Sequence, residues 1–261
     1  MLLTAGRVDD AEAQLRRSIE VMNETLPAGD ARIAAAASNL ASVLDVKGEY
    51  AEAERLHATA LAIARKTHGK GDPFTGGIYD NLGLNNMAQQ RYAEAMISHR
   101  RALRIFEAAL PPDHPRIATA LVNLAAARRA KDGDGDAELA ALLARAVEIR
   151  AALLGRLHFD TLQARRMLLE VLRAQGRDDE AAVHEQVFRA LAERAAEEGA
   201  ESSSLSQAFS RESRPARTRA VRVQDLNDEE MAAIMASEPA EEAQAFDHEM
   251  PEDDDDGKPG G

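Results

Sequence analysis

Apolar and polar residues alternate with the spacing of amphipathic α-helices along most of residues 6–195. In residues 30–47 the apolar positions recur at intervals of three and four, which places them on one helical face. These positions are Ile33, Ala36, Ala37, Leu40, Val43 and Leu44. Gly48 interrupts the pattern, and a second apolar face follows in residues 50–67, formed by Ala53, Leu56, Ala60, Leu61 and Ile63. The pattern predicts two helices joined by a tight turn.

This helix pair recurs along the chain at an interval of 42 residues. Asn-Leu stands at residues 39–40, 81–82 and 123–124, and the small and apolar residues around it follow the same step. A fixed period of this length predicts one supersecondary unit stacked on copies of itself, so we expect a solenoid rather than a single globular core. Asp72 and Pro73 suit the N-cap and the first turn of a helix, and they mark the start of one repeat.

Composition favours an all-α structure. A β-propeller also repeats near this length, but its strands are rich in aromatic and β-branched residues. Here aromatic residues make up only 3% of the chain and Trp is absent, whereas the abundant Ala, Leu, Arg and Glu are good helix formers. Because the chain has no cysteine, disulfides, thiol catalysis and cysteine-based zinc sites are excluded.

Hydropathy and net charge limit the classes of partner that we expect for this protein. No apolar run approaches the roughly 20 residues of a membrane span, so we expect a cytoplasmic protein without a membrane partner. The net charge of −13 argues against non-specific nucleic-acid binding. Residues 198–261 hold 17 acidic and 6 basic side chains, so most of the negative charge lies there and the repeats are close to neutral.

The residues repeated around each Asn-Leu pair resemble a tetratricopeptide repeat (TPR). Asn-Leu-Ala/Gly, Tyr-Ala-Glu-Ala and Ala-Leu-x-Ile follow one another twice, at 39–41, 50–53 and 60–63, and again at 81–83, 92–95 and 102–105. The ordinary TPR period is 34 residues, and a 42-residue version with an Asp-His-Pro turn at 113–115 is similar to the repeat of kinesin light chains and their relatives. The resemblance covers residues 6–195 and implies a superhelical solenoid of antiparallel helix pairs.

The chain departs from the repeat at several places. Gln90 replaces a turn glycine, and the turn at 131–136 is two residues longer than its counterparts. In the last copy Met167 takes the Asn position and Phe188 takes an Ala position, which suits a terminal unit. The segment 6–11 matches a turn and second helix whose first helix is nearly absent, so the chain is expected to begin inside a repeat.

These patterns predict the division of the chain. We expect a TPR solenoid in residues 1–197, with units at about 6–47, 48–89, 90–132, 133–175 and 176–197 and a truncated first unit. The Ser- and Arg-containing linker at 198–224 and the acidic tail at 239–261 have the composition of disordered segments. Residues 225–238, between them, carry a capping box and a hydrophobic staple, which predict a short amphipathic helix.

The TPR resemblance implies that the first helix of each pair lines a concave groove. Asparagine amides can pair with the backbone of an extended peptide, and arginine forks suit carboxylates or phosphates. The candidate partner-binding residues on these helices are Asn39, Asn81, Asn123, Asp80, Arg129, Arg166 and Arg173. The alternative is structural: each Asn bonds a neighbouring helix, and the arginines pair with helix neighbours.

No motif indicates catalysis, a metal or a cofactor. Residues 132–136 (Asp-Gly-Asp-Gly-Asp) resemble the start of an EF-hand, but Ala137 and Leu143 stand where that loop needs Gly and a bidentate Glu. The histidines show no metal-ligand spacing. His57 and His99 share one repeat position, where a large packing residue is expected.

The function that follows is a non-catalytic scaffold binding an extended peptide segment of another protein in the groove. The arginines predict that the acidic portion of such a segment lies toward Arg129, Arg166 and Arg173, and self-contact by the acidic tail is a further hypothesis. Two alternatives remain open: the repeat portion of a larger signalling or enzymatic polypeptide, and a kinesin-light-chain-like cargo adaptor. The heptad coiled coil with which kinesin light chains hold the heavy chain is not found in this sequence.

Overall fold

Nine α-helices make up the part of the chain that the computed structural model describes, which is residues 5–197, with side chains described for residues 8–190. They are α1 (Ala5–Thr25), α2 (Ala31–Lys47), α3 (Tyr50–Thr67), α4 (Pro73–Ala88), α5 (Tyr92–Ala109), α6 (Pro115–Asp132), α7 (Glu138–Leu154), α8 (Phe159–Ala174) and α9 (Asp178–Glu197). The predicted all-α solenoid is confirmed. The predicted linker, short helix and acidic tail lie outside the described residues.

The chain divides into two compact units, Met1–Pro215 and Ala216–Gly261, and every described residue belongs to the first. Within that unit each helix packs against the next one along the chain. We call α2, α4, α6 and α8 the A helices and the other five the B helices. The A helix α4 contacts both α2 and α6, so these successive A helices are neighbours.

The first predicted helix pair agrees closely with the structure. All six apolar positions predicted for α2 are buried, and on α3 the small residues Ala53 and Ala60 are fully buried. Leu56, Leu61 and Ile63 are partly buried and pack against the same clusters. Gly48 follows α2 with φ of 82°, in the left-handed region that favours glycine.

A polar side chain caps the start of each A helix. Asp30 and Asp72 accept hydrogen bonds from the backbone N–H groups two residues later, at 2.9 and 2.7 Å, and Pro73 opens α4 as the sequence indicates. His114 and His158 do the same for α6 and α8, through Nδ1, at 3.1 and 3.2 Å. The capping position therefore recurs before every A helix although the residue type changes from Asp to His.

Two places show where the repeat pattern is strained or altered. Gln90, which replaces the turn glycine, still has φ of 60°, so the turn keeps its left-handed geometry without the residue that favours it. At the N-terminus α1 already begins at Ala5, so Gly6 lies inside a helix and not in the turn that the repeat alignment predicts.

Candidate functional site

The seven candidate partner-binding residues are distributed over the four A helices: Asn39 on α2, Asp80 and Asn81 on α4, Asn123 and Arg129 on α6, and Arg166 and Arg173 on α8. We call the surface formed by these seven residues, together with Leu84 and Glu170, the A-helix face. The structure gives most of these side chains contacts with neighbouring helices, and those contacts define what the face can offer a ligand.

Asp80 lies at the junction of three helices. One carboxylate oxygen is 2.7 Å from Nδ1 of His99 on α5, and Asn123 on α6 donates from Nδ2 to both oxygens at 3.2 and 3.1 Å. His99 is fully buried, while Asp80 retains a small exposed fraction. Asp80 therefore links its own helix pair to the next one.

A second junction of the same kind occurs one repeat earlier, and the sequence did not indicate it. Asp45 on α2 is 3.2 Å from Nε2 of the buried His57, and Asn85 on α4 donates to its other oxygen at 2.6 Å. His57 and His99 are equivalent positions, as predicted, but Asp45 and Asp80 are not. The same arrangement of histidine, carboxylate and amide is thus built from different positions along the A helix.

Gly83 explains the position of the His99 ring. A Cβ atom added to Gly83 would lie so close to Cε1 of His99, at 2.4 Å, that the ring could not keep its place. The residue equivalent to Gly83 in the preceding repeat is Ala41, which is fully buried. The His99 ring can therefore lie against α4 at a glycine and bond Asp80. His57 instead bonds Asp45, near the C-terminal end of α2.

The three repeated asparagines have different surroundings. Asn123 bonds Asp80, and Asn81 donates to the hydroxyl of Ser38 on α2 at 3.3 Å. Asn39 is exposed, and among the described residues it has no hydrogen-bond partner. The contacts of Asn81 and Asn123 fit the structural alternative, and both side chains are only half-buried, so contact with a ligand remains a prediction.

The arginines form a cluster with carboxylates at the C-terminal end of the A-helix face. Glu170 on α8 accepts from Arg129 at 3.0 Å and from Arg166 at 3.2 Å, one arginine at each carboxylate oxygen. Arg173 pairs with Glu185 of α9 at 2.7 Å. Burial by itself would lower the pKa of Arg129, but hydrogen bonds to Asp134 and Glu170 outweigh it and raise that pKa. Arg129 is therefore charged at every physiological pH.

The elongated turn between α6 and α7 reaches this cluster. Asp134 lies 2.5 Å from Nε of Arg129, and Arg128 binds Asp136 on the same turn. Gln175, at the end of α8, donates to the backbone carbonyls of Asp134 and Asp136 at 3.0 and 2.7 Å. The turn is therefore held against the next helix pair by its backbone as well as by its ion pairs.

Apolar surface is limited on this face. Leu84 on α4 is 47% exposed and lies one turn after the Asp80 junction, while Met87 is partly buried on the same helix. Among the described residues no three His, Asp or Glu side chains are grouped so that they could hold a metal ion. Along the same stretch, no helix combines the length and the apolar character needed to cross a bilayer.

Comparison with known proteins identifies the repeat. Residues 32–108 and 74–141 match the family model described as Tetratricopeptide repeat. One solved structure contains TPR-like repeats, nearly identical to one another, of a kinesin light chain candidate from Podosopora anserina. It is 24% identical to this chain, the match covers 76% of this chain and 90% of that one, and the TM-score is 0.62. A single-substitution form of those repeats is 26% identical, with 75% and 90% covered and the same TM-score of 0.62.

Two further solved structures share the fold. BtubC (BKLC) from P. vanneervenii is 20% identical, with 83% of this chain and 80% of that one covered and a TM-score of 0.60. The apo form of RapI is 15% identical, with 77% and 74% covered and a TM-score of 0.61. No curated protein matches the sequence significantly.

This chain carries tetratricopeptide repeats within residues 32–141, and the helix pairs continue beyond them as far as α9. Its repeats are of the kinesin-light-chain-like type, as the sequence predicted.

Proposed function

We propose that this TPR protein is a non-catalytic, cytoplasmic scaffold that binds an extended peptide segment of a partner protein along the A-helix face. The TPR fold supports a protein–protein interaction scaffold, because a stack of helix pairs presents a long continuous surface to a partner. The face offers a side-chain amide at Asn39, an exposed apolar side chain at Leu84 and positive charge beyond them.

The observation that carries the proposal is the partial exposure of the arginine cluster. The side chains of Arg129, Arg166 and Arg173 remain 32%, 35% and 41% exposed although each is bound to a carboxylate. Ion pairs at this level of exposure contribute only about 0–1 kcal/mol. Carboxylates of a partner can therefore replace or join the internal ones, which supports an acidic portion of the bound segment lying over α6 and α8.

The test compares two variants that each lose two arginine charges. Arg166→Gln with Arg173→Gln removes charge from the A-helix face, and Arg65→Gln with Arg104→Gln removes the same charge from exposed positions on B helices. Proteins recovered on the tagged full chain are quantified by mass spectrometry. We expect the first variant to bind its partner about tenfold more weakly, since two exposed charge contacts are lost, and the second to bind as wild type. Equal recovery by the two variants would rule out the arginine end of the site.

Asn39 provides a separate test of the amide contacts. Asn81 and Asn123 also connect A helices, so their loss affects the stack as well as a ligand. Asn39→Ala changes only an exposed amide and is expected to weaken partner binding without lowering the melting temperature. Unchanged partner recovery by Asn39→Ala would leave this asparagine with no role in recognition.

Self-contact by the acidic tail belongs to the same proposal. The tail contains a run of acidic residues at 252–256, whose charge is complementary to the arginine cluster. Deletion of residues 224–261 is expected to increase partner recovery at low ionic strength, where exposed charges are least screened. If recovery does not change, the tail does not compete for this site.

A further inference from the structure

We propose that Asp134 is a built-in counter-ligand of Arg129, so that a carboxylate of the bound peptide reaches Arg129 by replacing the Asp134 side chain. This inference rests on the proposed function and specifies how its acidic end is regulated. It assigns a role to the elongated turn between α6 and α7, which the repeat itself does not require.

The length of the turn sets up the contact. Residues 133–137 join α6 to α7, whereas residues 48–49 join α2 to α3 and residues 89–91 join α4 to α5. At the repeat position of Arg129 the earlier A helices carry Asp45 and Met87, which need no counter-charge from a turn. The longer turn and the arginine therefore occur in the same repeat.

The Arg129 guanidinium pairs with two carboxylates, one from a turn and one from a neighbouring helix. Asp134 lies 2.5 Å from Nε, and Glu170 of the neighbouring A helix accepts from Nη1 at 3.0 Å. Glu170 belongs to a helix and also binds Arg166, so it is a fixed part of the face. Asp134 comes from a turn and has no second arginine among its described contacts, which makes it the replaceable member of the pair.

The turn can release the Asp134 side chain without moving its backbone. Gln175 holds the carbonyls of Asp134 and Asp136, and Arg128 holds the Asp136 side chain. Gly133 and Gly135 flank Asp134, and open space surrounds the positions where their Cβ atoms would lie. A rotation of the partly exposed Asp134 side chain toward solvent therefore meets no packed neighbour at these two glycines.

The charge of Asp134 also determines which ligand groups can bind at Arg129. A carboxylate that displaces Asp134 recovers an equivalent ion pair, so the exchange is close to neutral in free energy. While Asp134 stays in place, its negative charge repels a second carboxylate at the same guanidinium. A neutral ligand group that displaced Asp134 would lose the ion pair without replacing it. Acidic ligands are thus accepted, but with an affinity that Asp134 lowers.

The experiment uses the full chain and a short fluorescein-labelled peptide of alternating Glu and Ser, with a control peptide in which Gln replaces each Glu. Binding is measured by fluorescence anisotropy at low ionic strength for wild type, Asp134→Asn and a variant lacking residues 134–135, which restores the 42-residue spacing. Asp132→Asn is the matched control, because Asp132 is the last residue of α6, directly before the same turn, but pairs with Lys131. A second series that lacks residues 224–261 separates binding of the peptide from the tail contact proposed above, because both involve the same arginines.

We expect Asp134→Asn and the deletion to bind the Glu peptide about fivefold more tightly than wild type, the change that corresponds to one exposed ion pair. Asp132→Asn should bind as wild type, and adding Arg129→Gln to Asp134→Asn should abolish the gain. Wild-type affinity in both Asp134→Asn and the deletion would overturn the exchange while leaving the proposed function intact. If no protein prefers the Glu peptide to the Gln peptide, the acidic-ligand part of the proposed function fails together with the exchange.

Discussion

At the scale of single residues, a glycine and the placement of the carboxylates shape the polar contacts of the buried histidines. His57 and His99 occupy one repeat position and are both fully buried, yet they bond carboxylates at different places on their A helices. The carboxylates themselves stand at different repeat positions, because Ser38 is equivalent to Asp80 and Met87 is equivalent to Asp45. Gly83 leaves room for the His99 ring next to α4. The glycine thus permits the position of a buried ring, and the placement of the carboxylate decides its partner.

Replacing Gly83 with Ala tests this explanation. The new Cβ would overlap the buried His99 ring, and overpacking of this kind costs about 1–3 kcal/mol, which exceeds the gain of about 1 kcal/mol from the higher helix propensity of Ala. We therefore expect Gly83→Ala to lower the free energy of unfolding, measured by urea denaturation.

The control is Gly77→Ala on the same helix. A Cβ at Gly77 meets nothing within 4 Å, so only the propensity gain applies and the variant should be more stable than wild type. The explanation fails if Gly83→Ala is stabilised as much as Gly77→Ala.

At the scale of helices, the terminal pair shows how the environment alters a residue's chemistry. His184 on α9 is buried against α8, where Arg165 donates to its Nδ1 at 3.1 Å. Burial and, to a smaller extent, the positive charge of Arg165 lower the pKa of His184 from 6.5 to about 4. The nitrogen that accepts from Arg165 carries no proton, so the folded state holds the neutral ring.

This pKa predicts an acid-sensitive terminal helix pair. Between pH 6.5 and pH 4 the unfolded chain binds a proton at His184 that the folded chain does not, so the free energy of unfolding falls as the pH falls. The loss reaches at most about 3 kcal/mol below pH 4, and this loss is absent above pH 6.5. Urea denaturation at a series of pH values, followed by circular dichroism, measures it.

His184→Gln is expected to reduce the slope of stability against pH in this window, because glutamine can accept from Arg165 but does not titrate. His68→Gln removes an exposed histidine at the end of α3 and serves as the control for the loss of a histidine outside the terminal helix pair. Equal slopes for wild type and His184→Gln would mean that His184 does not cause acid sensitivity.

At the scale of the whole solenoid, stability depends on contacts between successive repeats as well as within them. Polar contacts between A helices carry part of this coupling: Asn81 reaches Ser38, Asn85 reaches Asp45, and Asn123 reaches Asp80. The repeated asparagine therefore connects repeats in the middle of the stack. At its first occurrence, Asn39 remains exposed.

Replacement of the repeated asparagine with alanine should therefore lower the free energy of unfolding by an amount that depends on its position in the stack. Asn123→Ala removes hydrogen bonds to a carboxylate that is also bonded to buried His99, and we expect the free energy of unfolding to fall by about 1.5–3 kcal/mol. Asn39→Ala should change it by less than about 0.5 kcal/mol, as for ordinary surface positions. Urea denaturation of the two variants measures the difference, and equal losses would contradict this account of how the repeats are linked.

The repeat architecture follows from the sequence because it depends on periodic, local information. The apolar spacing in α2, the turn glycine Gly48 and the cap Asp72 each act within a few residues, and the structure has them as predicted. The residue preferences that identify an N-cap do not include histidine, so the caps at His114 and His158 were missed. Gln90 shows that the fold can impose a left-handed turn on a residue that does not favour it.

The sequence by itself determined the fold class, the repeat length and the helices that carry the candidate residues. The tertiary structure decided which of those residues are already engaged: Asp80 with His99 and Asn123, and Arg129 with Asp134. The reason is physical. Periodicity within one helix pair fixes which face is buried, but a hydrogen bond between repeats depends on where side chains of two separate helices meet, and a single glycine or a two-residue insertion changes that position.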